Sequence, residues 1–368
     1  MNYVRMPIEI ESPEQMGYAN VRYNLTESSF ADAQLGDLDL DLRSLLLCYG
    51  DHQGNRRLRE LIAEDSGVAP DEVLITAGAA AALFVIATSV LRQGDRLLVE
   101  RPNYATNIET PRAIGAELDF LHLHFEEGFR PSLDRLAALI QPQTKLVSIT
   151  VPHNPTGSMV SEAELRQIIE LCERRGVSLL VDETYREMAH AGPLPVAASL
   201  SPQVLSVSSL SKTWGLPGIR IGWLICRDRA LMEKLLAAKE QIFICNSVVD
   251  EEIARRFLEK KAQFAPAIFA AMRRNFAVLE AWMETQSALE WVRPSGGVVC
   301  FPRFRSSYPV DIERFYRVLN DQYKTFVGPG HWFEMERRYL RIGYGWPKTE
   351  ELCAGLQAIS AAAEEAYC

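Results

Sequence analysis

A chain of 368 residues with 48% hydrophobic content is long enough to bury one large core and a smaller one beside it. Its formal charge of −9, with Lys and Arg scattered rather than clustered, excludes the basic footprint of a nucleic-acid or anionic-membrane binder and points to small-molecule partners. No stretch of about 18 apolar residues occurs, and the opening MNYVRMPIEIES lacks the apolar run of a secretory signal, so a cytoplasmic protein is expected.

From about residue 70 to 225 short apolar runs alternate with amphipathic ones. In order they are VLITA (73–77), a helix over AAALFVIATSVL, RLLVE, a helix over YATNIETPRAIG, LDFLHLHF, KLVSITV (145–151), a further helix, VSLLVDE, VLSVSSLS and GWLIC (222–226). This βα alternation predicts an α/β fold with a mostly parallel sheet, helices on both faces, and ligand groups at the carboxyl ends of strands. Ser161 followed by Glu164 predicts a capping box at the start of LRQIIELCERRG, and Gly176 its stop. His122 and His124 fall on one strand face, where two ordinary polar positions are expected and no metal site. The seven cysteines are widely spaced and mostly in apolar contexts, which predicts reduced core thiols. Beyond residue 228 the pattern turns helical, with a long connecting helix over 262–286, and then strand-like at LEWVRPSGGVVCFPRF. A strand at YLRIGYG and a helix over LCAGLQAISAAAEEAY end the chain. The expected organisation is an N-terminal segment (1–44) joining a small α+β domain, a large domain (45–265), and the small domain itself (266–368).

Seven motifs follow one another: TAGAAAAL (76–83), RPNY (101–104), PHNPTG (152–157), VDETY (181–185), SSLSKTWGLPGIRIGW (208–223), PSGG (294–297) and LRIGYG (340–345). Together, over nearly the whole chain, they resemble the class I/II aminotransferases of the aspartate aminotransferase superfamily. The eight-residue spacing from Lys212 to Arg220 is the most specific element. The resemblance implies fold type I with a mostly parallel seven-stranded sheet, and pyridoxal 5'-phosphate carried by Lys212 as a Schiff base.

That cofactor needs an amine, a carboxylate for its pyridine nitrogen, donors for its phosphate and a flat partner for its ring. Lys212 follows a strand in the apolar context SLSKTWGLPG, suited to a nucleophilic amine. Asp182 ends the strand SLLVD, and the resemblance sets it against the ring nitrogen. By the same resemblance Asn154 and Tyr185 bond the phenolate oxygen, Tyr104 stacks on the ring, and Ser209, Ser211 and Arg220 hold the phosphate. Gly78, Ala79 and Ala80 start a helix and offer backbone N–H groups at its positive end. Arg341 matches the arginine that grips the substrate α-carboxylate, orienting the Cα–H bond for Lys212. Tyr49 matches a tyrosine that reaches the neighbouring subunit's phosphate, which implies a homodimer with shared sites.

A closer resemblance, carried by YGDHQGNRRLR, FEEGFRPSLDRL, PHNPTG, KTWGLPGIRIGW and WVRPSGGVVCF, is to the capreomycidine synthase branch and the oxygen-using arginine oxidases. Both act on arginine or hydroxyarginine, and the segment YNLTESSF looks like the oxidase group. Within it Glu27 is a candidate partner for a guanidinium, which prefers a bidentate carboxylate. The expected activity is O2-dependent oxidation of L-arginine or a related basic amino acid. Transamination to a 2-keto acid and elimination with cyclisation are the alternatives. An effector-sensing role lacks its DNA-binding module, since residues 1–45 are too short and too acidic for a helix-turn-helix. The segment EMERRYLRIG departs from the usual pattern before Arg341 and leaves the side-chain pocket open; Trp332, Phe333 and Trp346 are candidates to line it.

Overall fold

The structure, a computed structural model, describes residues 1–38 and 40–368. Two short helices, Pro7–Glu11 and Pro13–Met16, precede strand β1 (Tyr23–Leu25). The apolar runs of the middle region then form β2 (Val73–Ala77), β3 (Arg96–Arg101), β4 (Glu117–His122), β5 (Thr144–Thr150), β6 (Ser178–Asp182), β7 (Val204–Ser209) and β8 (Ile221–Cys226). They make one seven-stranded sheet in the order β2-β8-β7-β6-β5-β3-β4. All neighbours are parallel except β8, which runs antiparallel to both β2 and β7. The inner strands are buried on both faces, which is why they read as continuous apolar runs, whereas edge strand β4 is largely accessible. His122 and His124 lie exposed side by side on that edge, ring centroids 6.3 Å apart.

Helix Glu162–Arg175 begins at the expected capping box, with Ser161 and Glu164 bonded reciprocally, and stops at Gly176 in the left-handed region. The connecting helix is longer than its periodicity indicates. It starts at Val248, where the Ser247 hydroxyl accepts from Asp250 N, and runs 37 residues to Glu284. Its end leads to β9 (Leu289–Glu290), β10 (Val299–Cys300), β11 (Arg303–Phe304), β12 (Thr325–Pro329), β13 (Leu340–Gly343) and the closing helix Thr349–Glu365. A second sheet, β1-β12-β13-β10, places the N-terminal strand parallel to β12 against the C-terminal part. Of the cysteines only Cys172, Cys226 and Cys300 are buried, fewer than their apolar contexts indicate. Cys245, half-buried, lies beyond helix Arg229–Phe243 beside Ile242 and Ile244, which are exposed and so do not bury it.

Strand registers decide where chemistry can gather. Thr150, Asp182 and Val207 are successive Cα partners at the carboxyl ends of β5, β6 and β7. Because β8 is antiparallel, its first residues meet the same edge: Ile221 pairs with Ala77 and Gly222 with both Thr76 and Ser209. The residues before β8 are thereby delivered to the rim that also holds the start of helix Gly78–Val90.

Candidate active site

A cavity of about 220 Å³ lies at that rim. Lys212, Asp182, Asn154, Tyr185, Tyr104, Ser209, Ser211, Arg220, Arg341, Glu27, Ala79 and Ala80 all line it, although they span residues 27 to 341. Gly78 stands directly behind Arg220: a Cβ there would lie 2.4 Å from the Arg220 Nη2. Gly222 closes the cradle, since its Cβ would lie 2.5 Å from the backbone carbon of Gly78. The helix start, two serines and a guanidinium therefore converge with no side chain between them, an arrangement suited to a phosphate dianion. Arg220 is itself left-handed (φ 48°), and its Nη1 donates to the Pro217 carbonyl 2.9 Å away. Lys212 is half-buried, and its carbonyl accepts from Phe30 N at 3.0 Å, which ties the lysine loop to the N-terminal segment.

Asp182 is buried, and burial raises its pKa. It is nevertheless well supplied with donors, accepting from the Thr184 hydroxyl at 2.6 Å and Thr184 N at 3.1 Å. Arg341 is buried too. Its Nη1 donates to Asn154 Oδ1 at 3.0 Å, its Nη2 to the Thr26 carbonyl, and its guanidinium lies over Phe333, 4.9 Å from the ring centroid. Since arginine only donates, Asn154 must turn its oxygen toward Arg341 and its NH2 the other way. Arg341 Nε is buried without a hydrogen-bond partner.

Beneath the cavity lies a layer of buried polar groups. Asn103 Oδ1 accepts from Tyr104 N, the Thr150 hydroxyl and Asn107 Nδ2, so it joins three elements. Burial lowers the His153 pKa to about 4, leaving it neutral. Its Nε2 faces the Pro102 carbonyl at 2.9 Å, an acceptor only, so the proton sits on Nε2 and Nδ1 accepts from the Thr156 hydroxyl at 2.8 Å. This imidazole fixes the loop that presents Asn154. Glu100 accepts from Thr150 N at 2.8 Å, and burial raises its pKa to about 8.

The cavity wall also contains residues that motif reading missed. Ile8, Glu9 and Glu14 come from the two N-terminal helices and Ser12 from between them, and Thr26 and Ser28 flank Glu27. Glu11 holds those helices in place by accepting from Trp332 Nε1 at 2.7 Å and pairing with His331 Nε2 at 2.8 Å. Of the three aromatic candidates, Trp332 lines the cavity and Phe333 lies under Arg341. Trp346 instead donates to Asp32 away from the lining. Tyr49 is 80% exposed and outside the cavity, on a surface with Leu46 and Leu47. Among the described residues no group of three His, Cys, Asp or Glu side chains is arranged to hold a metal ion.

The family model "Aminotransferase class I and II" matches residues 31–359. Capreomycidine synthase of Streptomyces vinaceus is 32% identical over 332 residues, covering 89% of this chain and 83% of that protein. The arginine–pyruvate transaminase AruH of Pseudomonas aeruginosa is 30% identical over 309 residues, with coverage of 80% and 77%. Among solved structures, a PLP-dependent aminotransferase from Streptococcus suis superposes with a TM-score of 0.92 at 26% identity, covering all of both chains.

Proposed function

Because the chain belongs to the class I and II aminotransferases and uses pyridoxal 5'-phosphate, we propose that it acts on L-arginine or a close basic relative, oxidising it with O2. The observation that carries the substrate reading is the presence of three carboxylates in the cavity lining. Glu9, Glu14 and Glu27 line the cavity together with Arg341 and Lys212, and the Arg341 and Lys212 charges act on the Glu27 carboxylate. An amino acid with a cationic side chain and an α-carboxylate offers a partner to both kinds of charge. The two relatives named for capreomycidine and arginine support the same class.

When bound, the cofactor supplies an aldehyde for amines and a protonated ring that accepts electron density from Cα. In this reading Lys212 carries it and moves the Cα proton, and Asp182 keeps a proton on the ring nitrogen. Asn154 Nδ2 and Tyr185 donate to the 3-oxygen, and Tyr104 covers the ring. Ser209, Ser211, Arg220 and the N–H groups of Ala79 and Ala80 take the phosphate. Arg341 grips the substrate α-carboxylate and Glu27 the guanidinium. Tyr49 reaches the phosphate of a second copy, which makes the working unit a homodimer.

The support for O2 as co-substrate is the resemblance of the segment YNLTESSF to the arginine oxidases; its Thr26, Glu27 and Ser28 border the cavity. Transamination is the second reading, favoured by the arginine–pyruvate transaminase. Absorbance of the yellow protein mixed with L-arginine, with and without air and without keto acid, separates them. Oxygen consumption with turnover is expected. Bleaching without oxygen uptake, reversed by a keto acid, would make the protein a transaminase, and no change at all would remove arginine as substrate.

A further inference from the structure

Ser28 is buried, 4% exposed, yet it borders the cavity. Its hydroxyl oxygen accepts from the Tyr185 phenol at 2.9 Å. A phenol has one proton, so the bond to Ser28 competes with any bond from Tyr185 to a ligand in the cavity. The segment carrying Ser28 is held at both sides of the site. Thr26 O accepts from Arg341 and Phe30 N donates to the Lys212 carbonyl. Close packing holds it as well, since a Cβ on Gly343 would lie 1.8 Å from Glu27 O and one on Gly345 would lie 2.7 Å from Ser29 O. Ser28 is therefore not a loosely placed hydroxyl that happens to lie near a tyrosine.

We infer that Ser28 is a positioning residue that acts through Tyr185, drawing off part of the phenol's hydrogen bond and so setting how strongly Tyr185 donates to the cofactor's 3-oxygen. The inference rests on the reading that Tyr185 donates to that oxygen. Charged and titratable groups acting on the phenol are Arg341, Asp182, Glu27 and Tyr104, and they are the same in each variant used below. Tyr185 itself stays protonated, because burial pushes its pKa up to about 12. Its proton is therefore available to be shared throughout the working pH range.

The readout is the pH midpoint at which the visible band of the holoenzyme changes, measured without substrate and with cofactor content checked for each variant. Donation to the 3-oxygen favours its deprotonated form and lowers the midpoint. Ser28→Ala frees the phenol and is expected to lower the midpoint by about 0.5–1 pH unit, while Ser28→Thr restores it. Tyr185→Phe is expected to raise it, and Ser28→Ala is expected to add nothing in the Tyr185→Phe background. An unchanged midpoint in Ser28→Ala, or the same shift with and without the tyrosine hydroxyl, overturns the inference. If Tyr185→Phe alone leaves the midpoint unchanged, the reading of Tyr185 fails instead.

Discussion

Glu27 sits between opposing influences. Burial foremost, with Glu14 adding to it, raises its pKa, while Lys212 and Arg341 pull it back, and Asn24 Nδ2 donates to it at 3.4 Å. A guanidinium binds the carboxylate form, so affinity falls as pH drops through the raised pKa, above the range of an ordinary glutamate. The KM for arginine is expected to climb on the acid side in the wild type and to be flat there in Glu27→Gln. Glu27→Ala should raise it by roughly tenfold or more, the range for losing a charge-assisted bond. Arginine affinity unchanged by Glu27→Ala would remove this residue from the substrate site. Glu9 and Glu14 are exposed, and their substitution should cost less.

At the scale of elements, two glycines offer a test that separates the proposed cofactor and substrate roles. Gly222 opens β8 where it crosses the start of helix Gly78–Val90, and a Cβ there meets backbone that cannot yield. Gly222→Ala should destabilise the protein by about 1–3 kcal/mol and lower its cofactor content. Gly343, at the end of β13, leaves room for the Glu27 carbonyl. Gly343→Ala should keep the cofactor but raise the KM for arginine, because the displaced segment carries Glu27. Cofactor stoichiometry, thermal unfolding and KM for both variants check this, and equal cofactor loss in the two would refute the division.

The whole molecule presents an apolar surface that one chain leaves bare. Leu46, Leu47 and Tyr49 are 74%, 77% and 80% exposed, and Ile242 and Ile244 are exposed nearby in the fold. Lys239 connects the two stretches, its Nζ donating to the His52 carbonyl at 2.6 Å, and His52 Nδ1 bonds Glu240 at 2.6 Å. Exposed leucines beside a clamped loop favour burial against a second copy. Sedimentation at micromolar concentration is expected to give a dimer, and Leu47→Asp to lose dimer and activity together. A fully active monomer would overturn the shared-site reading.

Much of the cavity edge was legible because its residues follow strands in fixed motifs. Strand alternation alone sends Asp182 to a carboxyl end, and small residues at 78–80 mark a phosphate-sized helix start. The antiparallel course of β8, which brings Arg220 to the same rim, follows from no local signal; it depends on how β8 inserts between β2 and β7. The set of carboxylates was legible only at Glu27. Glu9 and Glu14 lie on two short helices where Pro13 alone is buried, so no apolar period marks them. Their place is decided by Glu11 meeting His331 and Trp332, some 320 positions away. The bond from Tyr185 to Ser28 spans 157 positions. Local periodicity and motif order thus determined the fold class and the cofactor chemistry. Which carboxylates and hydroxyls line the cavity was decided by tertiary packing, because side-chain contacts between distant segments leave no trace in local pattern.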